Sequence, residues 1–113
     1  MPKKIKIPVF NDKRGSLKVI EKFLNFKIKR VYYMDNLKKN ISRGKHSHKK
    51  NLQFLICLSG KIIIKFKNKK YQLSNSNYGI LIKPEDWHEI VPKVNKTIIL
   101  VLASHYYDKN DYI

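Results

Sequence analysis

Two histidines two residues apart, His46 and His48, stand in the stretch Arg43-Gly44-Lys45-His46-Ser47-His48-Lys49-Lys50-Asn51-Leu52-Gln53. The stretch runs into an apolar segment at 54–58 and ends at Gly60. In an extended strand, successive side chains point to opposite faces, so both imidazoles would share one face and Ser47 the other. Paired imidazoles aimed at an interior can clamp a divalent transition metal. As neutral groups that titrate at about pH 6.5, they can instead move protons to and from carbon and oxygen. They can also be plain core histidines. The pair alone leaves all three readings open.

The spacing His46-x-His48, then four residues, Gln53, six residues and Gly60 resembles the first motif of the cupin jelly roll. In metal-binding cupins the position of Gln53 is normally Glu. A neutral amide adds no negative charge to offset a dication, which weakens a metal reading. The second cupin motif falls on Gly79, Pro84 and His88, with one residue missing before the histidine. Proton transfer by the pair needs no metal if donors stabilise the developing enolate.

The elements that must position the pair read as strands. Residues 5–10 predict a short opening strand, and Asn11-Asp12-Lys13-Arg14-Gly15-Ser16 predicts a turn. Segments 17–21 and 26–34 are strand candidates, the second carrying Val31-Tyr32-Tyr33. Polar residues 35–42 predict a loop with room for one helical turn. Strands follow at 53–59, 61–67, 71–73 and 79–82, the last stopped by Pro84. A turn from Pro84 leads into another short strand, and 96–104 is the most strand-like segment of all. Sustained helical periodicity is absent throughout. The pattern predicts one all-β domain over 1–113, a small sandwich or barrel.

Composition narrows the partners. The chain has 113 residues, 42% hydrophobic, which suits a single folded core. Lys and Arg number 25 against 8 Asp and Glu, giving a net charge of +17. Such a field favours a polyanion, either nucleic acid or an anionic metabolite. The lysines are scattered rather than gathered into a stripe, and no zinc-finger, RNP or helix-turn-helix pattern supports nucleic acid. One cysteine, Cys57, excludes an internal disulfide. No apolar run reaches the roughly 18–20 residues of a membrane helix, and the N-terminus lacks a signal-peptide core. These features predict a cytoplasmic protein with neither a nucleic-acid nor a membrane partner.

Five segments in combination carry a more specific resemblance. They are Phe26-Lys27-Ile28-Lys29-Arg30-Val31-Tyr32-Tyr33, Arg43-Gly44-x-His46-x-His48-Lys49-Lys50, Gln53-x-Leu55-Ile56-Cys57-Leu58-x-Gly60, Trp87-His88-Glu89, and the tail from Val101 to Ile113 with Asp111-Tyr112. Together they resemble the nucleotide-sugar 3,4-ketoisomerases, cupin enzymes that act on dTDP-4-keto-6-deoxyglucose. The similarity spans nearly the whole chain from Asp12-x-Arg14-Gly15-Ser16-Leu17 onward.

The resemblance implies a cofactor-free, metal-free cupin jelly-roll barrel that forms a strand-exchanged homodimer. It implies that the hexose carbonyl moves from C4 to C3 through an enediolate. His46 and His48 would carry the protons, with His48 as the principal base. Arg30, Tyr32, Arg43 and Gln53 would contact substrate or enolate, and Trp87 would fill the barrel mouth. Arg14 and His88 agree with the branch that delivers the galacto configuration; the gluco branch tends to carry Tyr and Arg there. The expected product is therefore dTDP-3-keto-6-deoxygalactose. The competing expectations are a metal-dependent cupin using His46 and His48, and a non-catalytic sugar-nucleotide binder.

Overall fold

In the computed structural model, which describes residues 1–113, the chain is built almost entirely of strands. They are β1 (Lys3–Lys6), β2 (Val9–Asp12), β3 (Gly15–Lys18), β4 (Arg30–Leu37), β5 (Arg43–His46), β6 (Gln53–Ser59), β7 (Ile62–Lys65), β8 (Lys70–Leu73), β9 (Tyr78–Ile82), β10 (His88–Pro92) and β11 (Thr97–Ala103). There is no α-helix, and one 3-10 turn spans Lys109–Asp111. No helix is long and apolar enough to cross a membrane.

Strand β6 explains the layering. Its first five residues are buried in succession, so it must be covered on both faces. It lies in the middle of an antiparallel sheet ordered β1-β9-β6-β11-β4. Leu55 and Cys57 point to one face and join Ile64, Ile90, Ile99 and Val101 in the main core, filled from both large sheets. Phe54 and Ile56 point to the other face, where Ile7, Leu81 and Leu102 meet them and Ile20, Phe23, Leu24 and Phe26 cover them.

The second sheet, ordered β5-β10-β7-β8, makes no ladder to the first. The molecule is thus a sandwich of two separate sheets, and the predicted barrel closure is absent. A third, two-stranded sheet pairs β2 with β3, forming a hairpin whose turn holds Lys13 and Arg14.

Several boundaries depart from expectation: β2 and β3 run into the predicted turn 11–16, leaving Lys13 and Arg14 as the turn, and the strand predicted at 17–21 ends at Lys18. The predicted strand 5–10 breaks at Pro8, which has no N–H to donate; Ile7 N donates instead to the Asn77 carbonyl, 2.7 Å away. The strand predicted at 26–34 starts at Arg30 and runs through Leu37, into the segment expected to be loop. Strand β5 stops at His46, so His48 lies outside it and makes an isolated bridge to Tyr112 in the tail.

Candidate active site

Strand β5 approaches β10 with an irregular register. His46 lies opposite His88, Gly44 opposite Glu89, and the ladder slips between His88 and Glu89. Gly44 (φ 90°) and Lys45 (φ 66°) both adopt left-handed backbone there. A Cβ on Gly44 would come within 3.2 Å of the His88 carbonyl oxygen, so a side chain there would be strained by conformation and tight against β10. This kink turns the His46 ring onto His88, with centroids 4.9 Å apart and planes at 79°.

The chain then leaves the sheet, yet His48 stays beside His46, edge to face at 4.9 Å. The two imidazoles do meet, as their i, i+2 spacing leads one to expect, although the ladder of β5 ends at His46. Ser47, expected on the opposite face, is buried.

The facing wall comes from β4 and β6. Gln53 Nε2 donates to the Tyr32 hydroxyl at 3.0 Å. The Arg30 guanidinium stacks over the Tyr32 ring at 4.2 Å and near Tyr107 at 5.6 Å. Between the walls is a cavity of about 290 Å³. Of the predicted site residues, Arg30, Tyr32, Arg43, His46, Gln53 and His88 all line it.

Three predicted residues do not line it. His48 sits one ring deeper: Tyr112 packs against both His46 (4.8 Å) and His48 (4.7 Å), and Tyr112 lines the cavity itself. Arg14 is in the hairpin turn, its side chain 90% exposed and paired with Asp12 at 2.6 Å. Trp87 borders a separate cavity of about 180 Å³ with Met1, Phe66 and Asp86, so it does not fill the mouth of this one.

Burial sets the electrostatics. It lowers the His46 pKa, and nearby His48 lowers it further. Burial likewise holds His48 below its usual value, although Asp111 pulls in the opposite direction. His88 is pushed down to about 4, chiefly by burial. Its Nδ1 lies 3.1 Å from the Asp86 carbonyl, which can only accept, so Nδ1 carries the hydrogen and Nε2 the lone pair. At neutral pH the three imidazoles are therefore uncharged and able to accept protons. Burial raises the Tyr32 hydroxyl, against the pull of Arg30. Cys57 is no nucleophile here, because it is fully buried and its thiol is pushed up to about 11.

No three His, Cys, Asp or Glu side chains are grouped as ligands, and the Gln53 amide is engaged by Tyr32. The arrangement suits proton movement over a small anionic ligand, with Arg30 and Arg43 at its border.

Residues 2–113 match the family model described as "FdtA: WxcM-like, C-terminal". The chain is 42% identical over 108 residues to the TDP-4-oxo-6-deoxy-alpha-D-glucose-3,4-oxoisomerase of Aneurinibacillus thermoaerophilus, covering 90% of this chain and 78% of that protein. The chain belongs to the WxcM-like family.

Solved structures agree with that membership. The QdtA sugar 3,4-ketoisomerase from Thermoanaerobacterium thermosaccharolyticum, in complex with TDP, superposes with a TM-score of 0.93 at 42% identity, over 99% of this chain and 86% of that one. A double variant of the same enzyme, carrying a tyrosine-to-arginine and an arginine-to-histidine change, is 44% identical at the same TM-score and coverage. The 3,4-ketoisomerase from Helicobacter canadensis is 35% identical with a TM-score of 0.94, over 99% and 89% of the two chains.

Sequence reasoning assigned no role to Tyr107, Tyr112 or Asp111, though all three belong to the tail that carries the family resemblance. Their composition held a signal, tyrosines flanking an acid after the last strand. Nothing in spacing linked them to the histidines.

Proposed function

We propose that the chain is a sugar-nucleotide 3,4-ketoisomerase that converts dTDP-4-keto-6-deoxyglucose to its 3-keto isomer. The observation that carries the reading is the meeting of His46, His88, Tyr32 and Gln53 around one cavity edged by Arg30 and Arg43. The similarity to oxoisomerases and ketoisomerases supports the substrate class.

In this reading the C4 ketone acidifies the hydrogen on C3. A neutral imidazole takes that proton, and the C3–H electrons form a C2-unaffected C3=C4 enediolate as the carbonyl oxygen becomes O4⁻. The O3 proton then passes to O4, the O3–H electron pair becomes the carbonyl at C3, and the electrons of the C3=C4 bond take the imidazolium's proton at C4. Proton and electron count are unchanged, so no oxidant, reductant or metal is needed. His46 and His88 both border the cavity; of the two proposed relay histidines His46 is the one in reach of the sugar, and His48, edge to face with it, is its partner. The Tyr32 hydroxyl, held by Gln53, is suited to O4 or O3. Arg30 and Arg43 suit the diphosphate as bidentate donors, and the +17 charge draws the anion in.

The galacto product belongs to the same proposal. The double variant is two percentage points more identical to this chain than its parent is, which two matched positions in 113 account for. That supports Arg14 and His88 as those two positions, and hence dTDP-3-keto-6-deoxygalactose as product.

A cupin-type homodimer with strand exchange fits the surface. Phe10 and Leu17, cross-strand partners on the hairpin, are 63% and 62% exposed, as are Val31 (61%) and Tyr33 (68%) on edge strand β4. A second copy covering them would also bring Arg14 toward a site that it does not reach within one chain. A cytoplasmic setting suits the lone reduced thiol of Cys57.

The test is incubation of the purified protein with dTDP-4-keto-6-deoxyglucose, followed by NMR of the product. A gluco product would refute the stereochemical part, and no conversion would refute the isomerase. Stoichiometric iron, manganese or zinc required for turnover would favour a metal-dependent cupin instead.

A further inference from the structure

The C-terminal residues 108–113 cross the site as a strap. Lys49 N donates to the Asp111 carbonyl at 2.7 Å, and Ile113 N donates to the Ser47 carbonyl at 3.0 Å. The strap is turned by Asp108, whose Oδ1 accepts from Asn110 N at 2.9 Å. Asp111 therefore lies under the histidine segment although it is 63 residues from His48 in sequence.

Its carboxylate is fully engaged. Oδ1 accepts from Lys50 N at 2.9 Å, while Oδ2 accepts from Asn51 N at 3.3 Å and faces His48 Nδ1 at 3.1 Å. Burial works against its charge, but the Lys50, His48 and Asn51 hydrogen bonds outweigh it and keep the carboxyl below its usual range. An ionised carboxylate only accepts, so the hydrogen in the contact sits on Nδ1. The opposite ring nitrogen, Nε2, is buried without any partner. Leaving a buried imidazole nitrogen bare is costly unless a lone pair is wanted there. Two backbone amides already anchor Asp111, so the third contact is not needed to hold the tail.

We propose that Asp111 is the positioning residue of the histidine pair: its carboxylate holds His48 as the Nδ1–H tautomer and leaves Nε2 as a free proton acceptor beside His46. The proposal rests on the reading of His46 and His48 as a proton relay. It also makes the strap a working part of the site, since the next residue, Tyr112, lies against both rings.

The test combines spectroscopy and kinetics. Nitrogen-15 NMR of histidine-labelled wild-type protein should show His48, identified as the resonance missing in His48→Asn, as the Nδ1–H tautomer. An Nε2–H tautomer in the wild type would overturn the proposal without any reliance on a variant's folding. In Asp111→Asn, which keeps the size and can still accept from Lys50 N, the tautomer should be lost and kcat should fall on the order of 10²-fold. KM and affinity for TDP should stay within about twofold, because Asp111 does not line the cavity. Unchanged kcat and tautomer in that variant would also overturn it. Wild-type protein with the Nδ1–H tautomer but no isomerase activity would refute the relay, while the tautomer assignment would stand.

Discussion

The side-chain amide of Gln53 donates a hydrogen bond to the hydroxyl of Tyr32, 3.0 Å away, on the cavity wall opposite His46. With its oxygen already accepting, the Tyr32 hydroxyl has its own hydrogen free to direct at a bound sugar oxygen. Tyr32→Phe should therefore lower kcat on the order of 10²-fold with TDP affinity retained. Gln53→Glu tests the polarity of the contact. A carboxylate there accepts from Tyr32 and turns the hydroxyl hydrogen away from the cavity, so kcat should fall although side-chain size barely changes. Steady-state kinetics and TDP titration check both; a Gln53→Glu enzyme with wild-type turnover would show that the donor direction is irrelevant.

The kink at Gly44 yields a second expectation. Gly44→Ala places a Cβ against the His88 carbonyl and asks alanine to hold a φ of 90°. The backbone cost is on the order of 1–3 kcal/mol, and relief requires β5 to move away from β10. That movement parts His46 from His88 directly. Activity should drop by more than the stability loss explains, measured as turnover at a temperature where circular dichroism shows the variant folded. Full activity in a folded variant would mean that the kink does not set the histidine geometry.

Arg30 lies between stacking and charge. Its guanidinium covers Tyr32 at 4.2 Å and borders the cavity. Lysine keeps the charge but loses the planar fork and the stack. Arg30→Lys should raise KM roughly tenfold and weaken TDP binding similarly, about 1.4 kcal/mol, with a smaller effect on kcat. Calorimetric titration with TDP checks this, and unchanged affinity would remove Arg30 from diphosphate binding.

The sequence carried the inner surface of this site well and its outer supports poorly. His46, Gln53 and His88 could be read from spacing because each lies on a strand in a short motif. Arg30 and Tyr32 followed from the family resemblance, and both lie on β4 and reach the cavity. The Asp111–His48 contact could not be read, since it joins residues 63 apart across a turn that has no periodic signature. The irregular backbone of β5 was not legible either. Two left-handed residues inside β5, Gly44 and Lys45, accompany the slip of its ladder with β10, and the strand ends at His46, short of His48. Barrel closure failed as an expectation because strand patterns define which faces are buried and leave undefined whether two sheets join at their edges. The hairpin carrying Arg14 packs on neither large sheet through a ladder, so its destination is a question about a second chain.

Acid should destabilise the fold through His88. This side chain is 2% exposed, and its pKa in the folded protein is about 4, against 6.5 for the free group. Between those values the unfolded chain binds a proton that the native state refuses, so stability rises with pH across the window and falls as pH is lowered through it. From about pH 7 to about pH 5 the loss from His88 alone is about 2 kcal/mol. His46 and His48, also lowered by burial, push in the same direction. Urea unfolding at the two pH values should show the wild type losing stability on acidification, and His88→Asn, though weaker at neutral pH, losing about 2 kcal/mol less over the same interval. Equal losses in the two proteins would mean that His88 accepts its proton in the folded state as readily as in the unfolded one.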